Sequence, residues 1–445
     1  MNRFLLAGII IFLIIMPALF YAFFIPVDEE TTPLISQDEI IMDPLDGGWM
    51  KEQDDVIILY LNGTNYMMGY QYGYFLHEEI EQFYRCITEY FELIGCSYDD
   101  LMYYWNAMKD NVPPQYIDEM QGMMNGSHLP WEHIAILNTV PAVLNLYMCS
   151  GMSAWGSATT DGSVLHFRSL DATIHIQDKE TGTYMQELQA IVLRNPAEGF
   201  RSVSFSLIGD IGSWGGFNEK GIAVGENSCK SEDTTLSGMT IAFRMRMVHD
   251  YAETMDDAIE ILNQNRDCAW NLFVSDGNTN TGVVIEQTAN HVYVGEWDDP
   301  VESTRPFYPI EDVVRRTNFF IEPTLAATQR DHYNIRGFRA LFRFLFKHDI
   351  YFYEWQHYKT FSRLIKREHG MLDLETTMDM VRDVYIGKTN LLFRFFQFLG
   401  SKQDIQQWVA NPKTGDFLIR FASIENCAHE NKIHSFNFYN LLSSD

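Results

Sequence analysis

The chain has 445 residues, of which 46% are apolar and 14% aromatic, and its formal net charge is -28. This apolar content supports a large buried core and excludes a disordered chain. An acidic surface repels the nucleic-acid backbone, and no cluster of Lys and Arg offsets it, so we expect no nucleic-acid partner. The length is compatible with one large domain as well as with two or three.

The N-terminus carries an apolar stretch over residues 4–26, which follows Arg3 and precedes Asp28 and Glu29. As a helix it is about 34 Å long, enough to cross a bilayer. We therefore predict a transmembrane signal anchor over residues 1–26, with the body of the protein outside the cytoplasm. A cleaved signal peptide, which would give a secreted or lumenal protein, is the alternative.

Further along the chain, the hydrophobic periodicity changes from mostly helical to mostly extended at Cys149. Residues 27–50 are interpreted as a connector, and residues 27–148 as a mostly helical segment that forms one domain with residues 149–445. Strands are predicted at 56–61, 164–168, 187–194, 203–208, 221–225, 272–275, 282–286, 291–296 and 417–421, and helices at 66–94, 98–147, 241–264 and 336–386. This order predicts an α+β fold with layered helices and sheets.

Residues 149–171 contain the most informative local pattern, a strand, the turn Asp161-Gly162 and a second strand. Such a hairpin places Cys149 beside Arg168 and Asp171. A guanidinium favours the thiolate of a neighbouring cysteine, and a carboxylate can orient or accept a proton. The alternative is an inert buried cysteine next to an ordinary ion pair.

The same stretch resembles the nucleophile hairpin of peptidase family C45, the acyl-coenzyme A:6-aminopenicillanic acid acyltransferase family. More distantly it is similar to choloylglycine hydrolases and acid ceramidase. The resemblance continues in order through 210–227, 244–262, 271–276, 316–319 and 408–416. It departs from the family at two positions, because Met148 stands where Gly usually precedes the nucleophile and Phe319 stands where His is usual.

The resemblance implies a four-layer αββα sandwich of the N-terminal-nucleophile hydrolases. It implies autocatalytic cleavage before Cys149, whose freed α-amine then acts as the general base, while the two segments stay associated. Arg168 and Asp171 would hold the amine and thiol, Asn227 and Asn318 would donate to the oxyanion, and Arg330 would complete the polar network.

The function expected from this resemblance is hydrolysis or acyl transfer at a linear amide, such as an N-acyl amino acid, a peptide or a lipid amide. Two alternatives remain, a lipid amidase or phospholipase B-like enzyme and an unprocessed, non-catalytic relative. No metal-binding or nucleotide-binding motif is present in the sequence, so no cofactor or metal is implied. His166 lies on a predicted strand without a local catalytic signature and is interpreted as structural.

Overall fold

Two sheets are formed by the strands of residues 45–140, 148–172, 176–329, 335–347, 351–396 and 404–443, the part of the chain that the computed structural model describes. The strands are β1 (Trp49–Gln53), β2 (Val56–Gly63), β3 (Met148–Ala154), β4 (Leu165–Asp171), β5 (Gln189–Pro196), β6 (Ser202–Leu207), β7 (Gly216–Asn218), β8 (Ile222–Ser228), β9 (Trp270–Asp276), β10 (Thr281–Gln287), β11 (Val292–Gly295), β12 (Val313–Arg316), β13 (Asp404–Asn411), β14 (Asp416–Phe421) and β15 (His434–Asn437). A nine-stranded sheet has the order β1-β2-β5-β6-β7-β8-β9-β10-β11, and a six-stranded sheet has the order β12-β3-β4-β13-β14-β15. All neighbouring strands are antiparallel except β2 and β5, which are parallel.

Helices cover the outer face of each sheet. The helices of the described residues are α1 (Asn65–Phe75), α2 (His77–Leu93), α3 (Tyr98–Met108), α4 (Pro114–Ser127), α5 (Trp131–Leu137), α6 (Ile241–Tyr251), α7 (Met255–Leu262), α8 (Pro323–Thr328), α9 (Gly337–Lys347), α10 (Tyr351–Glu368), α11 (Leu374–Tyr385), α12 (Leu391–Phe396) and α13 (Phe438–Leu442). Helices α1, α6 and α7 contact the nine-stranded sheet, and α11 contacts the six-stranded sheet. The prediction of a mixed fold of helices and sheets is confirmed.

The two sheets pack directly against each other, since β3 and β4 contact β8 and β9. Glycines permit this close approach. A Cβ atom on Gly151 would lie 2.4 Å from the ring of Phe273, and one on Gly225 would lie 2.9 Å from His166. Both distances are shorter than van der Waals contact, so a larger residue at either position would push the sheets apart. Cys149 on β3 therefore faces a densely packed interior.

The two helices α1 and α4 pack backbone against backbone. Their glycines are spaced four residues apart, at Gly69 and Gly73 on one helix and at Gly122 and Gly126 on the other. A Cβ atom on Gly69 would lie 1.8 Å from the carbonyl oxygen of Glu119, and one on Gly122 would lie 2.1 Å from that of Tyr66. Neither helix can therefore carry a side chain at these positions without moving away from its neighbour.

The predicted helices over 66–94 and 241–264 are present, as is the described part, 98–140, of the helical segment predicted over 98–147, which is broken where Pro113 and Pro130 precede α4 and α5. Thr254 caps α7 with a capping box to Asp257, as its sequence pattern indicates. The connector predicted over 27–50 is wrong at its end, because β1 begins at Trp49 and pairs with β2. Trp49 stacks on Tyr60 at 5.3 Å, a cross-strand contact that the local sequence does not reveal.

The transmembrane helix predicted over residues 4–26 lies outside the described residues. Within the part of the chain that the structure describes, no helix combines the length and the apolar character needed to cross a membrane.

Candidate active site

Cys149 lies on β3, directly beside the strand that carries the predicted Arg168 and Asp171. In the β3–β4 pairing Cys149 is opposite Leu170, and Met148 is opposite Asp171. The predicted hairpin is therefore present. The cysteine side chain is fully buried, and its backbone nitrogen donates to Oδ1 of Asn318 at 2.5 Å. Asn318 is 169 residues away in the sequence, so the fold brings these two predicted residues together.

The surroundings of Cys149 favour its protonated thiol. Burial raises its pKa well above the usual value, and the carboxylate of Glu226 raises it further. Arg168 lowers the pKa, as predicted, but this effect is smaller than the desolvation of the sulfur. Arg168 therefore acts on the thiol in the predicted direction without offsetting its burial, and activation of Cys149 requires a base.

Arg168 is fully buried and is held by Glu226, a residue that the sequence analysis missed. Its Nε donates to the backbone oxygen of Glu226 at 2.9 Å, and its Nη2 forms an ion pair with the Glu226 carboxylate. The remaining Nη1 of Arg168 and Oε2 of Glu226 are buried without a hydrogen-bond partner. Buried polar atoms of this kind are rare in folded proteins and are typical of sites that bind a ligand or water.

Asp171 is buried behind the cysteine. One oxygen accepts a hydrogen bond from Ser169 at 2.8 Å, and the hydroxyl of Tyr385 lies 2.7 Å from both oxygens. Burial raises the pKa of Asp171 well above its usual range, and the nearby Asp404 raises it further, whereas Tyr385 and Ser169 oppose this shift. Tyr385, on α11, is a second residue that the sequence analysis missed.

The asparagines predicted as oxyanion donors have different environments. Asn318 uses Oδ1 to accept from Cys149 and Nδ2 to donate to the backbone oxygen of Ser228 at 2.7 Å. The structure thus shows it as a partner of the cysteine nitrogen, which differs from the predicted donor role. Asn227 donates through Nδ2 to the backbone oxygen of Arg316 at 3.0 Å, while its Oδ1 is buried without a partner. Asn271 lies opposite Asn227 in the β8–β9 pairing.

Glu354, a buried carboxyl on α10, contacts the backbone of Asn318. Its Oε2 accepts from the backbone nitrogen of Asn318 at 3.3 Å, and its Oε1 has no partner. Burial raises the pKa of Glu354 to about 8. His357 lies nearby, with Nδ1 3.9 Å from Glu354. Since burial lowers the pKa of His357 to about 3, the imidazole is neutral and the carboxyl lacks a cationic partner on that side.

The remaining residues considered from the sequence are Arg330 and His166. Arg330 lies outside the described residues. His166 is buried between the sheets, where it stacks on Trp408 at 5.1 Å and its Nδ1 is 2.8 Å from the hydroxyl of Ser275. Burial lowers its pKa to about 3, so it is a neutral packing residue, in agreement with its interpretation as structural.

Asp404, Cys427 and His429 form a group of potential metal ligands on the far side of Asp171. Both oxygens of Asp404 already accept hydrogen bonds from His429, at 2.6 Å from its backbone nitrogen and 2.7 Å from Nδ1. Arg420 is close enough for Asp404 to raise its pKa. The positive charge of Arg420 and the satisfied carboxylate oxygens both oppose a cation here, so the group is better described as a buried hydrogen-bonded cluster.

The family model of acyl-coenzyme A:6-aminopenicillanic acid acyl-transferase matches residues 161–349. The resemblance predicted from the sequence is confirmed. The match to this family includes Arg168, Asp171, Asn227 and Asn318 and begins after Cys149. At this general level it supports an enzyme that hydrolyses acyl amides or transfers acyl groups.

Two further proteins are similar to this chain in sequence. An uncharacterized protein of Archaeoglobus fulgidus is 24% identical over 369 residues, covering 73% of this chain and 57% of that protein. Protein dcd1B of Dictyostelium discoideum is 23% identical over 312 residues, covering 62% of this chain and 60% of that protein. The chain thus spans about three fifths of the length of each relative.

Among solved structures, this chain is similar to the Caenorhabditis elegans ortholog of N-acylethanolamine-hydrolyzing acid amidase, with 15% identity and a TM-score of 0.36 over 60% of this chain and 93% of that one. Penicillin V acylase from Agrobacterium tumefaciens gives 13% identity and a TM-score of 0.37 over 65% of this chain and 86% of that one. Scores at this level carry no inference about fold or activity.

Proposed function

We propose that this protein is an N-terminal-nucleophile enzyme of the four-layer αββα type, which cleaves itself before Cys149 and then hydrolyses or transacylates linear amides. The observation that carries this proposal is the hydrogen bond from the Cys149 nitrogen to Oδ1 of Asn318. It places a fixed acceptor at the atom that would become the general base. The protonated thiol supports the same mechanism, since it requires a base within reach.

The maturation step would begin with attack of the Cys149 sulfur on the carbonyl carbon of Met148. A carbon–sulfur bond forms, the Met148–Cys149 amide bond breaks, and the thiol proton passes to the departing nitrogen. Water then hydrolyses the thioester, which leaves a carboxylate on Met148 and restores the thiol. The product is a Cys149 with both a thiol and a free α-amine.

In the catalytic cycle the α-amine would accept the thiol proton while the sulfur attacks the substrate carbonyl. An unperturbed α-amine has a pKa near 8 and suits this role at neutral pH. The protonated amine then delivers its proton to the leaving amine, and the acyl-enzyme is resolved by water or by a second amine. Asn318 would orient the α-amine, and the amide of Asn227 would donate to the tetrahedral oxyanion. Arg168 and Glu226 would form the polar wall beside the sulfur.

We also propose that the two segments stay associated after cleavage, and the packing around Glu119 supports this. Glu119, on α4, precedes the cleavage point, and Arg246, on α6, follows it. The Glu119 oxygens accept hydrogen bonds from Arg246 at 3.0 and 3.1 Å, and both residues are fully buried. In addition, residues 57–63 of β2 pair with β5, so the nine-stranded sheet contains strands from both segments.

N-terminal sequencing and intact-mass measurement of the purified full-length protein test the proposal. We expect two fragments that co-elute under native conditions and separate in denaturant, one of them beginning at Cys149. Cys149→Ala should remain a single chain and hydrolyse no amide, whereas Cys229→Ala, which alters another buried thiol, should be cleaved as the parent is. A wild-type chain that stays intact would identify an unprocessed relative and contradict the mechanism. Amides of graded acyl length then define the substrate.

A further inference from the structure

Helix α9 exposes an unusual number of aromatic side chains. Phe338, Phe342, Leu345 and Phe346 are 81%, 46%, 53% and 65% exposed. Their spacing of four, three and one residues places them along one side of the helix. The opposite side packs inward, since Ala340 is buried. Soluble surfaces rarely expose a contiguous apolar stripe of this kind without a partner.

Helix α12 adds to the same surface. Leu391, Leu392 and Phe395 are 84%, 40% and 54% exposed. The two helices are joined through Tyr353 of α10, whose ring stacks on Phe344 of α9 at 6.4 Å and lies 5.2 Å from Phe393 of α12. The seven exposed side chains of α9 and α12 are called the apolar face below; they are Phe338, Phe342, Leu345, Phe346, Leu391, Leu392 and Phe395.

The two segments that carry the apolar face have a net charge opposite in sign to that of the whole protein. Residues 335–347 and 391–396 contain five Arg and Lys residues and no Asp or Glu, in a chain whose net charge is -28. Arg336, Arg339 and Arg394 are exposed beside the apolar side chains. A stripe of Phe and Leu bordered by Arg is the pattern of helices that lie in the interface of an anionic membrane.

We propose that the apolar face docks the protein onto an anionic lipid surface, with Phe338 and Phe346 inserted among the acyl chains and the arginines at the phosphate level. A second copy of the chain fits this surface poorly, because symmetric pairing would bring arginine against arginine. Helix α10 links the surface to the candidate site, since it carries both Tyr353 and Glu354. The proposal is independent of the chemistry proposed for Cys149.

Photo-crosslinking of the full-length protein tests this docking at the level of individual peptides. The protein is incubated with phosphatidylcholine–phosphatidylglycerol vesicles that carry a diazirine-labelled acyl chain, irradiated and mapped by mass spectrometry. We expect lipid adducts in the peptides that contain α9 and α12. Mass spectrometry assigns each adduct to a peptide, so adducts in residues 4–26 are counted separately from those in α9 and α12.

Variants distinguish insertion from chance contact. Replacing Phe338, Phe342 and Phe346 together by serine should reduce adducts on α9 at least about tenfold, because three aromatic side chains lose their apolar environment. Replacing Arg336 and Arg339 by glutamine should reduce the adducts formed with anionic vesicles by about fivefold for each arginine. The adducts formed with neutral vesicles should change little. The matched control Leu93→Ser, at an 81% exposed position on α2, should change nothing.

Two outcomes would overturn the proposal. The first is labelling confined to residues 4–26, with none on α9 or α12. The second is a lipid-independent dimer in sedimentation velocity that the triple serine variant abolishes, because the apolar face would then belong to a protein interface. All substituted side chains are exposed, so an unchanged thermal unfolding midpoint establishes that the variants are folded.

Discussion

Removing the hydroxyl of Tyr385 is the sharpest test of whether the buried groups next to Cys149 contribute to activity. It lies 2.7 Å from both oxygens of Asp171 and reaches them from α11, a helix of the outer layer. Tyr385→Phe removes this single donor and keeps the ring, which stacks on His429 at 5.6 Å. The change therefore removes the hydrogen bond to the carboxylate together with the contacts of this hydroxyl with Ser169 at 2.8 Å and Ser150 at 3.5 Å.

The size of the effect follows from the burial of Asp171. A hydrogen bond to a charged group contributes about 1.5–3 kcal/mol, which corresponds to a roughly 10- to 100-fold loss of kcat/KM if Asp171 acts as a carboxylate. The hydroxyl of Tyr385 lowers the pKa of Asp171, so its removal raises that pKa. The acid limb of the kcat/KM profile should then move to higher pH, and self-cleavage should slow in the same direction.

The control is Tyr358→Phe, which removes a buried hydroxyl that has no hydrogen-bond partner. This variant should leave the pH profile in place and cost little stability, because no bond is lost. The measurement is kcat/KM against pH for the best amide substrate, together with the rate of fragment formation. An unshifted acid limb in Tyr385→Phe, with activity equal to that of Tyr358→Phe, would refute the role assigned to the hydroxyl.

Three further predictions concern stability. Burial raises the pKa of Glu354 to about 8 in the folded state from an ordinary value of 4.5, so between these pH values the folded state binds one proton more than the unfolded state. The free energy of unfolding therefore falls as pH rises through that window, by at most about 1.4 kcal/mol per pH unit. The stability that Glu354→Gln gains over the parent, measured by calorimetry, should grow from pH 5 to pH 8, and a constant difference would contradict the assignment. Glu119→Ala removes one of the two carboxylates that pair with buried Arg246, which keeps Asp250, and should cost about 1.5–3 kcal/mol in denaturant unfolding. The exposed pair of Lys220 is expected to contribute less than about 1 kcal/mol when Glu253 is replaced by alanine. Gly122→Ala should lower the thermal midpoint by several degrees, since its methyl group overlaps the backbone of α1, and an unchanged midpoint would show that the helices can separate freely.

Local sequence patterns predicted the elements of the fold well, because their causes are local. The hairpin of Cys149 and Asp171 follows from two strands and a turn, and the capping box at Thr254 follows from residues within one helical turn. Strand β12 was not predicted, because two of its four residues are arginines. Arg315 and Arg316 are nevertheless buried, and Arg316 is paired with Glu286 from another strand.

In the candidate site, too, local patterns predicted residues, whereas contacts between distant residues could not be predicted. Asn318 was predicted from a motif, but its contact with the Cys149 nitrogen depends on a separation of 169 residues. Glu226 stands next to the predicted Asn227, yet its pairing with Arg168 exists only because the two sheets face each other. Tyr385 and Glu354 come from helices without any motif. Such residues become visible only when the tertiary packing is known.

The protonation state of Cys149 connects the proposed maturation with the proposed catalysis. A thiol that Arg168 held as a thiolate would be reactive in the uncleaved chain, and cleavage would then add little to its reactivity. Burial instead keeps the proton on the sulfur, and Glu226 strengthens this effect. A buried neutral thiol needs a base in contact with it, and in the proposed mechanism the α-amine released by cleavage would be that base. In the proposed mechanism the raised pKa of Cys149 makes amide turnover depend on processing, so a Met148→Pro variant that stays uncleaved should retain the fold while losing activity.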